Sequence, residues 1–224
     1  MRSELVQVIL RNIKRHWGSL LWLLLVSVGL AYLEQRHARI FERIDTLAYI
    51  LFVLRLRQAW ITSIMTGFTF LASPVVLLAL LLMVVAFAPG KRPGWCATVN
   101  LVLVVLLNQI LKFILQRPRP EGYSLVEESG YSFPSGHSMV SLAFFGLCIW
   151  MVWQYDTDEK IRDRCCIAFA LIILMVGLSR IYLGVHYATD VMAGFLVSMM
   201  WLLFYTKTFA PAMLDEELDL PPLL

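Results

Sequence analysis

Three short stretches of the chain carry residues able to handle an anion and a proton. In KFILQRPRP, Lys112 and Arg119 lie seven residues apart, two helical turns, although Pro118 and Pro120 argue against an unbroken helix there. In YSFPSGHSMV, Pro134 halts whatever precedes it, and Ser135, Gly136 and His137 stand where an apolar run begins. The first turn of a helix leaves N–H groups unpaired and carries partial positive charge, which suits an anion. Gly136 admits a ligand close to the main chain, Ser135 offers a hydroxyl, and His137 exchanges a proton near neutral pH. In SRIYLGVHYATD, Arg180 is followed by His186 and, four residues on, by Asp190. A helical start there would put imidazole and carboxylate on one side, the carboxylate fixing the ring's tautomer and steadying its positive charge. Taken singly, each stretch also fits a plainer role. Lys112 and Arg119 could snorkel to lipid head groups, Ser135 could be an N-cap beside an interfacial histidine, and the charges near His186 could simply face water.

The elements that must position these residues are membrane spans. Of 224 residues, 59% are hydrophobic and 16% charged, and the mean hydropathy is +0.72, whereas a soluble domain holds about 45–50% apolar and about 25% charged residues. A span needs about 20 mainly apolar residues. Six segments qualify: Trp17 to Leu33, Trp60 to Ala88, Trp95 to Leu115, Ser138 to Trp153, Ile167 to Gly184 and Thr189 to Tyr205. The second is overlong and contains Ser73-Pro74, which predicts a kink or a tilt. The fourth is short unless its helix begins back at Ser135. The expected fold is all-α, an integral membrane bundle of six transmembrane helices in a single domain over residues 1–224.

Residues 40–58 mix apolar side chains with Glu42, Arg43, Asp45, Arg55 and Arg57. They are too charged to span and read as a helix lying at the outer interface, or as a connecting loop. Residues 207–224 read as an acidic, solvated cytoplasmic tail. No removable signal peptide is seen, so the first apolar segment is expected to be retained. The bias of Lys and Arg places both termini in the cytoplasm and the three polar stretches outside. A net charge of +3, scattered along the chain, gives no argument for nucleic acid. Cys96, Cys148, Cys165 and Cys166 fall in or beside apolar segments without a metal-site or disulfide spacing, and are expected to be buried free thiols.

Topology joins the three stretches. The first two share the loop between spans three and four, and between the second and third the chain crosses the membrane twice and returns. Lys112, Arg119 and Arg180 can therefore meet Ser135, Gly136, His137, His186 and Asp190 at one bilayer face, whichever way the protein is oriented. Three cations and a helix N-terminus describe an oxyanion cradle, and two histidines describe a nucleophile and an acid. A phosphate group fits that inventory best.

The sequence resembles the type 2 phosphatidic acid phosphatase superfamily, whose signature has three parts. These are Lys, six residues, Arg-Pro; then Pro-Ser-Gly-His; then Ser-Arg, five residues, His, three residues, Asp. Lys112 to Arg119-Pro120, Pro134 to His137, and Ser179-Arg180 to His186 to Asp190 match it without substitution and in order, over residues 112–190. The resemblance implies a six-helix bundle with its site at the outer leaflet, and hydrolysis of phosphate monoesters or diphosphates with no metal or other cofactor. It further implies that His186 attacks phosphorus and forms a phosphohistidine, that Asp190 orients His186, and that His137 protonates the leaving oxygen. Lys112, Arg119 and Arg180, aided by Ser135 and backbone N–H groups near Gly136, would bind the phosphate oxygens. His186 is also the histidine with the spaced carboxylate, so the residues favour the same division of labour.

The implied partner is a lipid phosphate in the bilayer. The small size resembles bacterial members of the superfamily, which places the protein in the inner (plasma) membrane with its site facing the periplasm or exterior. Undecaprenyl diphosphate is the first expectation and phosphatidylglycerophosphate the second. Phosphatidate, lipid A 1-phosphate and phosphotransfer between lipids follow. From another class, a lipid transporter or flippase would also hold charges among its helices, but inverted repeats and midplane charges are not seen. Nothing in the sequence reads the oligomeric state.

Overall fold

The computed structural model describes residues 2–36, 39–87, 92–155 and 158–214. Ten α-helices follow in order: α1 (Arg2–Arg15), α2 (Trp17–Gln35), α3 (Arg39–Ala48), α4 (Ala59–Leu71), α5 (Pro74–Phe87), α6 (Arg92–Leu115), α7 (Gly136–Tyr155), α8 (Glu159–Tyr182), α9 (Ala188–Thr208) and α10 (Ala210–Leu214). A π-helix, Tyr49–Arg55, continues α3. Among the described residues, α2, α6, α7, α8 and α9 are each long and apolar enough to cross a membrane. The pair α4 and α5, bent by 54°, passes the same test together, as one broken span or as a re-entrant pair. The bend falls at Ser73-Pro74, as expected of a residue that has no N–H and excludes its predecessor from the helix.

The bundle is apolar outside as well as inside. Trp22, Val28, Phe70, Val75, Phe87 and Phe113 are all more than half exposed, the arrangement of helices whose surroundings are lipid. The core lies where α6, α7 and α9 meet, around Val104, Met139, Ala143, Leu147, Val197, Trp201 and Tyr205. Its polar groups are satisfied within the bundle. Asn100 donates to the Ala143 carbonyl at 2.7 Å and accepts from Trp201 Nε1 at 2.8 Å, and the Tyr205 hydroxyl donates to the Cys96 carbonyl at 2.7 Å. Cys96 is the buried thiol; Cys148, Cys165 and Cys166 are free but only partly covered.

The fourth span is of full length because α7 starts at Gly136, and α8 starts eight residues before the expected Ile167. Of residues 40–58, 40–55 are helical, the first of the two readings, and 56–58 are not; the segment also does more than lie at an interface. α3 packs against α9, and its Asp45 is only 7% exposed. Of the acidic tail, residues 207–214 finish α9 and form α10, and 215–224 lie outside the described residues.

The alternating chain direction brings the C-terminal ends of α6 and α8 and the N-terminal ends of α7 and α9 to one end of the bundle. α9 is drawn tightly onto the start of α7. Ser135 N–H donates to the Asp190 carbonyl at 3.0 Å, and Ser198 Oγ donates to the Met139 carbonyl at 2.8 Å. Gly194 permits this approach, since a Cβ there would stand 2.9 Å from the Ser135 carbonyl oxygen. Gly194→Ala is therefore expected to push α9 off the Pro134–His137 turn. The cost should be about 1–3 kcal/mol, read as a lowered midpoint in thermal unfolding in detergent.

Candidate active site

Lys112, Arg119, Gly136, His137 and His186 are walls of one cavity of about 500 Å³ at this end of the bundle, completed by Asn108, Gln109, Phe113, Glu128, Ser129, Gly130 and Tyr131. Phe113 is 73% exposed, so the cavity adjoins the outer apolar face of α6. A ligand with its head in this cavity can keep an apolar tail among lipid.

Chain breaks at the end of α6 aim the cations. Gln116 takes the left-handed conformation (φ 49°) and ends the helix just after Lys112. The following Arg-Pro-Arg-Pro segment cannot re-enter a helix, and it sends its two arginines to different places. Arg119 faces the cavity and donates to the carbonyls of Ser129, Gly130 and Val185 at 3.0 Å each. Lys112 Nζ donates to the Tyr131 carbonyl at 2.7 Å. Arg180 is 1% exposed and reaches the cavity by way of Glu128, to which it is paired and hydrogen-bonded; its other terminal nitrogen donates to Thr69 Oγ1 at 2.6 Å. Arg180 Nε is buried without a partner among the described residues.

His186 lies in the short connection between α8 and α9. Its Nε2 is 3.2 Å from an Arg119 N–H, and its Nδ1 is 3.3 Å from Asp190 Oδ2. A guanidinium has no lone pair to offer, so Nε2 must accept and Nδ1 carries the proton toward Asp190. Burial, followed by the positive charges of Arg180, Arg119 and Lys112, holds the His186 pKa well below its usual range. The ring is thus neutral, and the unshared pair of Nε2 is held by Arg119 at the cavity wall. Neutrality is the state a nucleophile needs.

Asp190 is completely buried in the first turn of α9. The i, i+4 pairing with His186 expected from sequence is present but is the longest of its contacts. Arg117 Nη1 stands 2.6 Å from Oδ1, and the Tyr187 N–H donates to Oδ2 at 2.9 Å. Arg117 also pairs with Asp45 of α3 at 2.8 Å and lies 4.2 Å from the Tyr187 ring centre. Asp45 in turn accepts from the N–H and hydroxyl of Thr189 at 2.9 and 2.8 Å. Burial works against the Arg117 charge, but Asp190 and Asp45 outweigh it and raise its pKa.

Ser135 departs from expectation. Its side chain is fully buried, 3.0 Å from the Ser138 hydroxyl that donates to it and 3.5 Å from the Ser138 N–H. It sits at the N-terminal end of α7 and is not part of the cavity wall, so the plainer N-cap role describes its geometry. Sequence reading also passed over Arg117, Asp45, Glu128 and Asn108, whose amide holds the Pro134 carbonyl at 3.1 Å. Arg117 had one available signal, its place two residues before Arg119 between a helix end and a proline. Asp45 and Glu128 had none, since their partners lie 72 and 52 residues away.

A cation-lined cavity at one end of an apolar helical bundle, with a neutral histidine at its wall, suits an anionic head group whose tail stays in lipid. The sequence model of the PAP2 superfamily matches residues 93–213, over half the chain, and the chain belongs to that superfamily. It is a hydrolase acting on lipid phosphate esters. Phosphatidylglycerophosphatase B of Bacillus subtilis is 36% identical over 158 residues, covering 69% of this chain and 77% of its own. An undecaprenyl-diphosphatase of Sulfolobus acidocaldarius is 28% identical over 53% of this chain and 55% of its own. The crystal structure of a transmembrane PAP2-type phosphatidylglycerolphosphate phosphatase from Bacillus subtilis superposes with a TM-score of 0.72 at 28% identity, covering 90% of this chain and 96% of that one.

Arg117→Ala would strand two buried carboxylates. It is expected to cost about 3–5 kcal/mol and, where the protein still folds, to lower kcat by about 10²-fold through misplacement of His186, measured by thermal unfolding and single-substrate kinetics. The His186 ring, with its lowered pKa, should stay neutral at pH 6, where an unperturbed imidazole is mostly protonated. Nitrogen NMR of histidine-labelled protein in micelles, with His186 assigned by substitution, reads this directly.

Proposed function

We propose that the protein is a phosphatidylglycerophosphate phosphatase working through a phosphohistidine. The observation that carries the mechanism is the disposition of His186, whose unprotonated Nε2 faces the cavity while Nδ1–H points to Asp190. In this reading the phosphate enters between Lys112, Arg119 and Arg180, where the unpartnered Nε of Arg180 and the first turn of α7 at Gly136 offer further donors. Entry of the phosphate dianion lets His137 take up a proton and draws the Arg119 N–H from His186 Nε2 to a phosphate oxygen. Nε2 attacks phosphorus in line, the bond to the glycerol oxygen breaks, and His137 delivers its proton to that oxygen. Asp190 balances the charge that His186 gains. Water then attacks the phosphohistidine, passing a proton to His137, and inorganic phosphate leaves. Ser135 serves by holding the start of α7.

Similarity to the Bacillus phosphatidylglycerophosphatase, the greater in both identity and coverage, supports a glycerophosphate head ahead of the diphosphate first expected from sequence. Undecaprenyl diphosphate stays as the second reading on the strength of the archaeal relative. A small excess of Lys and Arg in the segments away from the polar stretches, ten against nine, supports a site facing away from the cytoplasm in a bacterial plasma membrane.

Purified protein in detergent should show a higher kcat/KM on phosphatidylglycerophosphate than on undecaprenyl diphosphate, measured by phosphate release. The reverse ranking would reject the substrate. His186→Ala should turn over neither lipid and accept no label from radioactive phosphate. Normal turnover by that variant would reject the nucleophile.

A further inference from the structure

Among the described residues, Glu128 is the one acidic side chain on the wall of the cavity, and the proposed reaction gives it no task. It comes from the irregular segment between α6 and α7 and bridges two of the three cations. One carboxylate oxygen is bound to Arg180, and the other is 3.6 Å from Arg119 Nη2. Burial would raise its pKa, but Arg180, by charge and by hydrogen bond, holds it below the usual carboxylate range, so it is an anion in use. Its side chain is 28% exposed. The segment that carries it is tied down on both sides. Leu125 N–H donates to the Leu183 carbonyl at 2.9 Å, and Arg119 binds the carbonyls of Ser129 and Gly130.

We propose that Glu128 determines which phosphate head the cavity prefers, by lowering the charge of the cradle to match a monoester dianion rather than a diphosphate. Of the fixed charges, Lys112, Arg119 and Arg180 bring three positive and Glu128 removes one, leaving two beside the proton that His137 passes on. Asp190 and Arg117 form an ion pair of their own at 2.6 Å outside the cavity wall, and they are the same in every variant compared below. A phosphate monoester carries roughly −1.5 to −2 near neutral pH, which two positive charges neutralise. A diphosphate carries about one negative charge more, and its second phosphoryl group must lie beside a fixed carboxylate in a partly desolvated site. Like charges so placed repel, and a site can discriminate by repulsion as well as by attraction. The two arginines remain aligned by the same carboxylate, so Glu128 selects without vacating the cradle.

This inference rests on the cavity being the phosphate site. Its test compares variants on one lipid tail, so it stands apart from the identity of the natural lipid. Farnesyl phosphate and farnesyl diphosphate share a tail and differ in the head. For Glu128→Gln, the ratio of kcat/KM on the diphosphate to that on the monophosphate should rise about tenfold over the unmodified protein, the order expected from one partly screened charge a few ångströms away. Glu128→Asp, which keeps the charge, should hold the original ratio within about twofold. Inhibition should follow, with inorganic pyrophosphate gaining on inorganic phosphate only in the Gln variant. An unchanged ratio in Glu128→Gln would overturn the proposal. So would a parallel gain on both substrates, which would make the carboxylate a plug that any phosphate displaces. If Glu128→Gln turns over neither substrate, calorimetric binding of phosphate and pyrophosphate reads the same ratio without catalysis. A shift toward pyrophosphate there upholds the proposal, and equal or absent binding of both rejects it. Should the unmodified protein prefer diphosphate lipids, the substrate reading falls while the change between variants still reports on Glu128.

Discussion

A carboxylate without access to solvent has to be held by charge, and Asp190 is held by Arg117. The arrangement of the site follows from that pair. An ionised side chain at the start of an apolar helix is costly unless its oxygens are occupied. Here one oxygen takes the guanidinium, and the other takes the Tyr187 N–H and the His186 ring. Arg117 then needs a second acid, which Asp45 supplies from α3, and Asp45 is completed by Thr189. The chain of contacts runs through α3, the end of α6 and the start of α9. It fixes the His186 ring in place without any of its members entering the cavity.

On the cavity side the problem is reversed. Lys112, Arg119 and Arg180 repel one another, and what gathers them is a set of fixed acceptors. The carbonyls of Ser129, Gly130, Tyr131 and Val185 face Arg119 and Lys112, and Glu128 faces both arginines. A preorganised positive wall costs stability in the resting protein and is ready when an anion arrives. With burial, it also keeps His186 neutral, because a proton on that ring would add a fourth positive charge. The positive wall of the cavity and the neutrality of His186 are thus one electrostatic arrangement. Arg119 belongs to both, since the guanidinium that donates to His186 Nε2 also lines the cavity.

Membership in the PAP2 superfamily and the likeness to a PAP2-type phosphatidylglycerolphosphate phosphatase over nine-tenths of the chain fit a bundle that is apolar on its outside and polar at one end. Lipid surroundings require every backbone group in a span to be satisfied by its own helix. Irregular chain is therefore confined to the ends, and the catalytic segments gather where the helices stop. The bent pair α4 and α5 is the one interrupted apolar stretch of spanning length among the described residues. Its α4 half meets the site end through Thr69, which binds Arg180.

What the sequence by itself determined is local and periodic. Apolar length fixed the spans, Ser73-Pro74 the bend, the three short motifs the inventory of Lys112, Arg119, Gly136, His137, Arg180, His186 and Asp190, and an even number of crossings their common end. Each of these depends on neighbours within a few turns of helix. Tertiary structure alone decided the pairings. It gave Asp190 to Arg117 more closely than to His186, turned Ser135 inward, brought Asp45 from a segment read as interfacial into the support of the site, and set Glu128 between two arginines. Charges choose partners by distance and desolvation, and both are set by how remote segments fold together. No periodicity in the chain records that.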